Sequence, residues 1–163
     1  QITKTARDTT RVLDEIVWAV NPAYDTLESL VTYFLKNAQE YLAVAGVRCR
    51  LEVPAQLPAT PLPPDVRHNI FLAAKEAVTN VARHAKASKV WLEIQVRGRE
   101  WAMEVRDNGV GFALSDPSSG YGLTSLRNRA RELGGSIEIE SSPGAGTTVR
   151  LRLLAQSGLA PSR

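Results

Sequence analysis

Apolar positions recur with two different periods along the chain, and the switches between them mark its elements. From Thr3 to Val20, Ala6, Thr9, Leu13, Ile16 and Val20 follow one another at spacings of three and four. This predicts a helix with a coiled-coil-like seam that wants a partner. Asn21-Pro22 ends it, because the residue before a proline is pushed out of helical geometry. Asp25 with Glu28 predicts an N-cap and capping box for a second helix, which carries Leu27, Leu30, Val31, Phe34, Ala38, Tyr41 and Leu42 and stops near Gly46. Val47, Cys49, Leu51 and Val53 alternate with Arg48, Arg50 and Glu52, the pattern of a half-buried strand. Five prolines between Pro54 and Pro64 make a stiff connector, with Leu57 and Leu62 as its anchors.

A third helix is expected from Pro64-Asp65 to about Ala85. At about 100° per residue, Phe71, Ala74, Val78, Val81, Ala82 and Ala85 share one side and Glu76, Asn80, Arg83 and His84 the other. One side packs, and the other is either a solvated face or a chemical one. Val90, Leu92, Ile94 and Val96, then Trp101, Met103 and Val105, alternate around a turn at Gly98 and predict a hairpin that delivers Asp107 to a strand end. Leu123, Leu126, Ala130 and Leu133 define a short helix closed by Gly134-Gly135. Ile137 and Ile139 mark a strand, 143–146 a turn, and Val149, Leu151 and Leu153 a last strand with Thr147 on the same face. The residues from Ala155 onward carry no pattern.

Length and composition narrow the classes. A chain of 163 residues suits one domain with an appended helix, and one this long buries about 68–70% of its unfolded surface. The net charge is +3, but 20 Lys+Arg are interleaved with 17 Asp+Glu, so no basic block supports nucleic-acid binding. Cys49 is the single cysteine, which excludes an internal disulfide and fits a buried, inert thiol in a reducing compartment. No apolar run is long enough to span a bilayer. Starting at Gln1, the chain reads as a piece of something longer, expected in the cytoplasm and without membrane contact of its own.

The candidate chemistry lies between Asp107 and Leu123. An ionised Asp107 accepts hydrogen bonds only, which suits the exocyclic amine of adenine, a donor that guanine lacks at the equivalent position. Asp-Asn-Gly by itself is a common hairpin turn, but a second glycine two residues on has no role in such a turn. Gly109 and Gly111 would let the backbone pass close beneath a ligand. Gly120 and Gly122 precede a helix, so amides near Leu123 and Thr124 would face an anion such as phosphate. The small polar residues 113–119 between the glycine pairs would form a short lid. On the third helix Asn80 offers a neutral oxygen ligand for Mg²⁺ on nucleotide phosphates. Glu76 could orient a metal-shell water or act as a base, Arg83 neutralise phosphate charge, and His84 donate a hydrogen bond. Two histidines and one cysteine without clustered spacing argue against zinc, and Gly-x-x-x-x-Gly-Lys is absent.

Taken in order, these pieces resemble the Bergerat-fold ATPases, the superfamily of DNA gyrase, MutL mismatch-repair proteins, a heat-shock chaperone and sensor histidine kinases. Glu76-Ala-Val-Thr-Asn80-Val-Ala-Arg-His84-Ala resembles the N box, Asp107-Asn-Gly-Val-Gly111-Phe the first glycine box, Gly120-Tyr-Gly-Leu123 the second, and Gly146-Thr147-Thr-Val the closing motif. The Glu-Ala-x-x-Asn-x-x-Arg-His-Ala form and the short lid are similar to sensor kinases that pair with NarL-type response regulators. The run Leu13-Asp-Glu-Ile-Val-Trp-Ala-Val-Asn-Pro22 resembles the end of their dimerisation helices.

The resemblance implies an α+β fold, a two-layer sandwich of helices over a mixed sheet, preceded by the coiled-coil-like helix. It divides the chain into 1–21, the end of the dimerisation helix; 22–155, the ATP-binding catalytic domain; and 156–163, a tail. Asp107 would bind the adenine amine, with Thr147 supporting it through water. Asn80 would hold Mg²⁺, Arg83 and His84 would contact phosphate, and Glu76 would assist proton removal from the acceptor histidine. Gly109, Gly111, Gly120, Gly122 and Leu123 complete the implied ATP site. ATP, a response regulator and a second copy of the full-length kinase are the implied partners. In such kinases the phosphorylated histidine lies on the first dimerisation helix, and nothing before Ala6 supplies it; His68 and His84 sit on the ATP-site helix. The expectation is ATP binding without autophosphorylation by this piece alone. An anti-sigma-factor serine kinase, or a non-catalytic module that uses nucleotide as a switch, shares the same motifs.

Overall fold

The computed structural model describes residues 2–116 and 123–154. Five strands form one sheet in the order β1-β2-β3-β5-β4, with β1 Arg48–Glu52, β2 Lys89–Arg97, β3 Glu100–Asp107, β4 Ser136–Ser141 and β5 Thr147–Leu154. Only β1 and β2 run parallel, joined by a crossover through a helix, and the other neighbours are antiparallel, so the sheet is mixed as expected. Val90, Leu92 and Ile94, Trp101, Met103 and Val105, and Val149, Leu151 and Leu153 are all buried. Alternation puts their neighbours on the other face, where Arg150 pairs with Glu104 at 2.7 Å and Glu140 at 2.9 Å. The inner face packs against α2 Leu27–Val44, α3 Pro64–Asn80 and α4 Leu123–Glu132, completing a two-layer sandwich.

Two boundaries differ from the sequence expectation. Thr26, not Asp25, caps α2: its hydroxyl accepts from the Ser29 N–H at 3.2 Å. Asp25 uses its backbone carbonyl to accept from Leu62 N–H at 2.6 Å, while Leu27 N–H donates to Thr60 at 3.0 Å, so the proline-rich connector is stapled to the start of α2. The third helix is α-helical only to Asn80; Val81–Ala85 form a π-helical turn that ends at a left-handed Lys86 (φ 49°). An inserted π turn rotates the residues after it relative to those before. The 3.6-residue wheel therefore holds only as far as Asn80.

The N-terminal helix α1, Ile2–Val20, packs by a face that the seam does not include. Trp18 and Ala19 are buried, as is Glu15, whereas Leu13, Ile16 and Val20 of the seam are about half exposed or more. Trp18 stacks on Tyr33 of α2 with centroids 4.2 Å apart and touches Phe71 of α3 at 5.5 Å. Glu15 accepts from Lys75 Nζ of α3 at 2.6 Å and lies 3.7 Å from His68 Nε2. Arg67 of α3 is fully buried and donates through Nη2 to the carbonyls of Ala19 and Asn21. Those carbonyls lie at the end of α1, where helix acceptors lack intrahelical partners. Cys49 sits half-buried on edge strand β1, and burial pushes its thiol up.

Candidate functional site

The end of α3, its π turn and the ends of β3 and β5 enclose a cleft of about 210 Å³. Its walls are mostly apolar: Ala77, Val81, Ala85, Val105, Phe112, Leu123 and Val149 line it. Its polar groups are Asn80, His84, Asp107, Asp116 and Thr147. An apolar slot with a few convergent polar groups is the usual form of a small-ligand site.

Asp107 is the most constrained of these groups. It is the last residue of β3, only 5% exposed, and its Oδ1 accepts from the Gly109 backbone N–H at 2.8 Å. Burial raises its carboxyl above the usual aspartate range, while hydrogen bonds from the Gly109 and Thr147 backbone amides act in the opposite direction. The two amides use part of its acceptor capacity and orient the rest. An acceptor-only group held this way at the end of an apolar slot suits an amine on a flat ring.

The backbone around Asp107 is tied in three layers, and the glycines are what let the layers meet. A side chain at Gly109 would put its Cβ 2.1 Å from the Ala85 carbonyl, the same carbonyl that accepts from Val110 N–H at 2.7 Å. Gly146, at φ +72°, leaves a similar 2.1 Å for a Cβ against the Asp107 carbonyl. Asn108 accepts with Oδ1 from Ser88 and Lys89 N–H, both at 3.0 Å, which fixes the exit of the π turn to the glycine loop. At Gly109 and Gly111 a Cβ would collide with the carbonyls of Ala85 and Ser142, so both glycines are needed for the backbone packing around the cleft. Gly111 lines the cleft and Gly109 does not.

Of the other predicted residues, Asn80, His84, Leu123 and Thr147 line the cleft with Asp107. Leu123 is the first residue of α4 and is buried. Glu76 lies on α3 one turn before Asn80, and Arg83 is exposed on the π turn; neither lines the cleft. Gly120 and Gly122 lie outside the described residues, as do 117–119 of the expected lid. Phe112, at the end of the first glycine box, and Asp116, within the expected lid, also line the cleft, and Ser141 beside it carried no sequence signal. Ser141 precedes Ser142-Pro143-Gly144, so turn composition hid it. Among the described residues no group of three or more His, Cys, Asp or Glu stands ready to hold a metal. A cation here would be held jointly by Asn80 and a ligand's own phosphates, which fits a nucleotide-borne Mg²⁺.

The family model for histidine kinase-, DNA gyrase B- and HSP90-like ATPases matches residues 65–157, more than half of the chain. The sensor histidine kinase LiaS of Bacillus subtilis is 38% identical over 89 residues, covering 54% of this chain and 25% of that protein. The nitrate/nitrite sensor protein NarQ of Escherichia coli is 26% identical across 90% of this chain and 28% of its own length. The chain thus spans about a quarter of the length of these relatives. Among solved structures, the histidine kinase domain of a blue-light-activated histidine kinase from Erythrobacter litoralis superposes with a TM-score of 0.64 at 20% identity, over 82% of this chain and 66% of that one. The histidine kinase AdeS of Acinetobacter baumannii gives 0.61 at 17% identity, over 95% and 81%. These two likenesses concern the fold.

Proposed function

This chain belongs to the family of histidine kinase-, DNA gyrase B- and HSP90-like ATPases, and on that premise we propose that it is the ATP-binding catalytic part of a two-component sensor histidine kinase. The observation that carries the reading is the Asp107 carboxylate, buried at the end of an apolar cleft and braced by the Gly109 and Thr147 amides. Docking of α1 on α3 supports the sensor-kinase reading over a serine kinase of the same fold, because it joins the nucleotide helix to an element built for helix pairing.

In this reading Asp107 accepts from the adenine amine while Val105, Val149, Ala77 and Val81 sandwich the ring. Asn80 and His84 face the phosphate end; Asn80 gives a neutral oxygen to Mg²⁺, and His84 and Arg83 donate toward phosphate oxygens. Mg-ATP, when bound, would supply the γ-phosphoryl group, the β–γ bond breaking with ADP as the leaving group. Glu76, four residues before Asn80 on α3, takes the proton from the attacking imidazole of an acceptor histidine. Leu123 opens α4, and Gly120 and Gly122, which precede it in the sequence, are read with it as the phosphate-binding segment. The phosphoryl group passes next to an aspartate of a NarL-type response regulator, and the full-length kinase works as a dimer in the cytoplasm. Among the described residues no helix is long and apolar enough to cross a membrane.

The test is calorimetric titration with ATP, with and without Mg²⁺, followed by incubation with a separately supplied dimerisation segment carrying a histidine. Micromolar binding and an acid-labile phosphohistidine on the segment are expected. Binding without any phosphohistidine would instead identify a nucleotide-switched module.

A further inference from the structure

We infer that Ser141 is a positioning residue for base specificity: it fixes the proton of the Thr147 hydroxyl so that the polar end of the cleft offers a bound base acceptors only. This rests on the reading of the cleft as an adenine site. Ser141 ends β4 and is the register partner of Thr147, the first residue of β5, so the two hydroxyls meet across the turn that joins the strands. Thr147 lines the cleft and Ser141 does not.

Three groups converge on the Ser141 hydroxyl. The Phe112 backbone N–H donates to it at 2.9 Å, it donates to the Gly146 carbonyl at 3.1 Å, and Thr147 Oγ1 lies 2.8 Å away. An amide N–H can only donate, a carbonyl can only accept, and a serine has one proton. One arrangement satisfies all three contacts: Ser141 gives its proton to Gly146, and Thr147 gives its own to Ser141. The Thr147 proton is thereby spent inside the wall of the site. Only lone pairs of Thr147 remain for the cleft, next to an Asp107 that also only accepts when ionised.

A ring with an amine at C6 meets acceptors there. A ring with a 6-oxo group sets oxygen against oxygen, and a buried mismatch of that kind is costly. Without Ser141 the Thr147 hydroxyl turns freely and can donate to a 6-oxo group. Ser141 thus controls the choice between amino and oxo purines through a residue it touches.

The experiment compares ATP with inosine triphosphate, whose ring carries a 6-oxo group in place of the amine, by calorimetry on the intact chain and on Ser141→Ala, Ser141→Thr and Asp107→Asn. The wild type is expected to prefer ATP, Ser141→Ala to narrow the ratio about five- to tenfold, and Ser141→Thr to retain it. Should Ser141→Ala fail to fold, Ser141→Cys, with a weak donor of similar size, is expected to give an intermediate ratio. Equal weakening of both nucleotides, or an unchanged ratio, would mean that Ser141 only braces the loop and would overturn the inference alone. A wild type that binds neither nucleotide, with Asp107→Asn indistinguishable from it, would sink the adenine site and this inference with it.

Discussion

The guanidinium of Arg67 lies 5.3 Å from the centre of the Trp18 ring while its Nη2 donates to the carbonyl of Ala19, so one side chain of the nucleotide helix both covers and caps the end of α1. Nε and Nη1 of the same guanidinium find no hydrogen-bond partner among the described residues. A buried cation with two idle donors contributes to position more than to stability, since an apolar group of equal volume often replaces such a charge at little cost. Arg67 reads best as a fastener of α1.

Arg67→Ala should therefore cost about 2–4 kcal/mol, through a cavity beside Trp18 and orphaned helix carbonyls. Arg67→Met should cost only about 1 kcal/mol, because it refills the space. Both should free the end of α1, which hydrogen exchange would register as faster amides over residues 15–20. Unchanged protection there in the alanine variant would show that the aromatic cluster alone holds the helix.

Asp107→Asn should keep the fold and lower ATP affinity roughly 50-fold, as expected when an acceptor becomes partly a donor in a buried site. The pH dependence follows from the raised carboxyl. The folded state holds this proton to higher pH than the unfolded chain does, so the contribution of Asp107 to stability falls as pH rises between its ordinary and its raised value, and is level above that. ATP affinity moves the other way, rising through the same window as the carboxylate ionises. Both dependences should vanish in the asparagine variant. Calorimetry and thermal unfolding across acidic pH would check them together.

Two glycines of one turn make an internal control. Gly146→Ala sets a Cβ 2.1 Å from the Asp107 carbonyl, whereas Gly144→Ala, also at positive φ (+81°), meets nothing within 4 Å. The first should cost about 3 kcal/mol and displace Asp107, reducing ATP affinity. The second should cost about 1 kcal/mol of backbone strain and leave affinity alone. Urea unfolding with parallel titrations separates the two, and equal affinities in both variants would contradict the role given to Gly146.

Much of this was legible in the sequence, for a physical reason. Strand alternation at Val90–Ile94 and Trp101–Val105 reports burial on one face directly, and the Asp107 to Gly111 spacing reports a backbone crossing that side chains would block. The docked face of α1 was not legible. Its seam of Leu13, Ile16 and Val20 is the stronger periodic signal, while Trp18 is recruited by Tyr33 and Phe71, which lie far away in the sequence. Arg67 was hidden for a related reason, because arginine is almost never fully buried and only the arriving end of α1 gives it acceptors. The π turn was missed since Val81–Ala85 reads as ordinary helix, and Ser141 since its partners are backbone groups and one neighbouring hydroxyl.

Binding and chemistry should be separable on α3. Asn80 lines the cleft and Glu76, one turn earlier, does not, so the two should fail differently. If its oxygen acts through the metal as proposed, Asn80→Ala should lose about tenfold in ATP affinity with Mg²⁺ present and almost nothing without it. Glu76→Gln should bind Mg-ATP as the wild type does yet slow phosphoryl transfer to a supplied histidine segment by about 10²–10⁴-fold, the range for losing a general base. Titrations with and without Mg²⁺, followed by single-turnover transfer assays, give the two readouts. Equal loss of Asn80→Ala affinity in both conditions would place Asn80 on the nucleotide itself, and a Glu76→Gln variant that transfers at the wild-type rate would remove Glu76 from the chemistry.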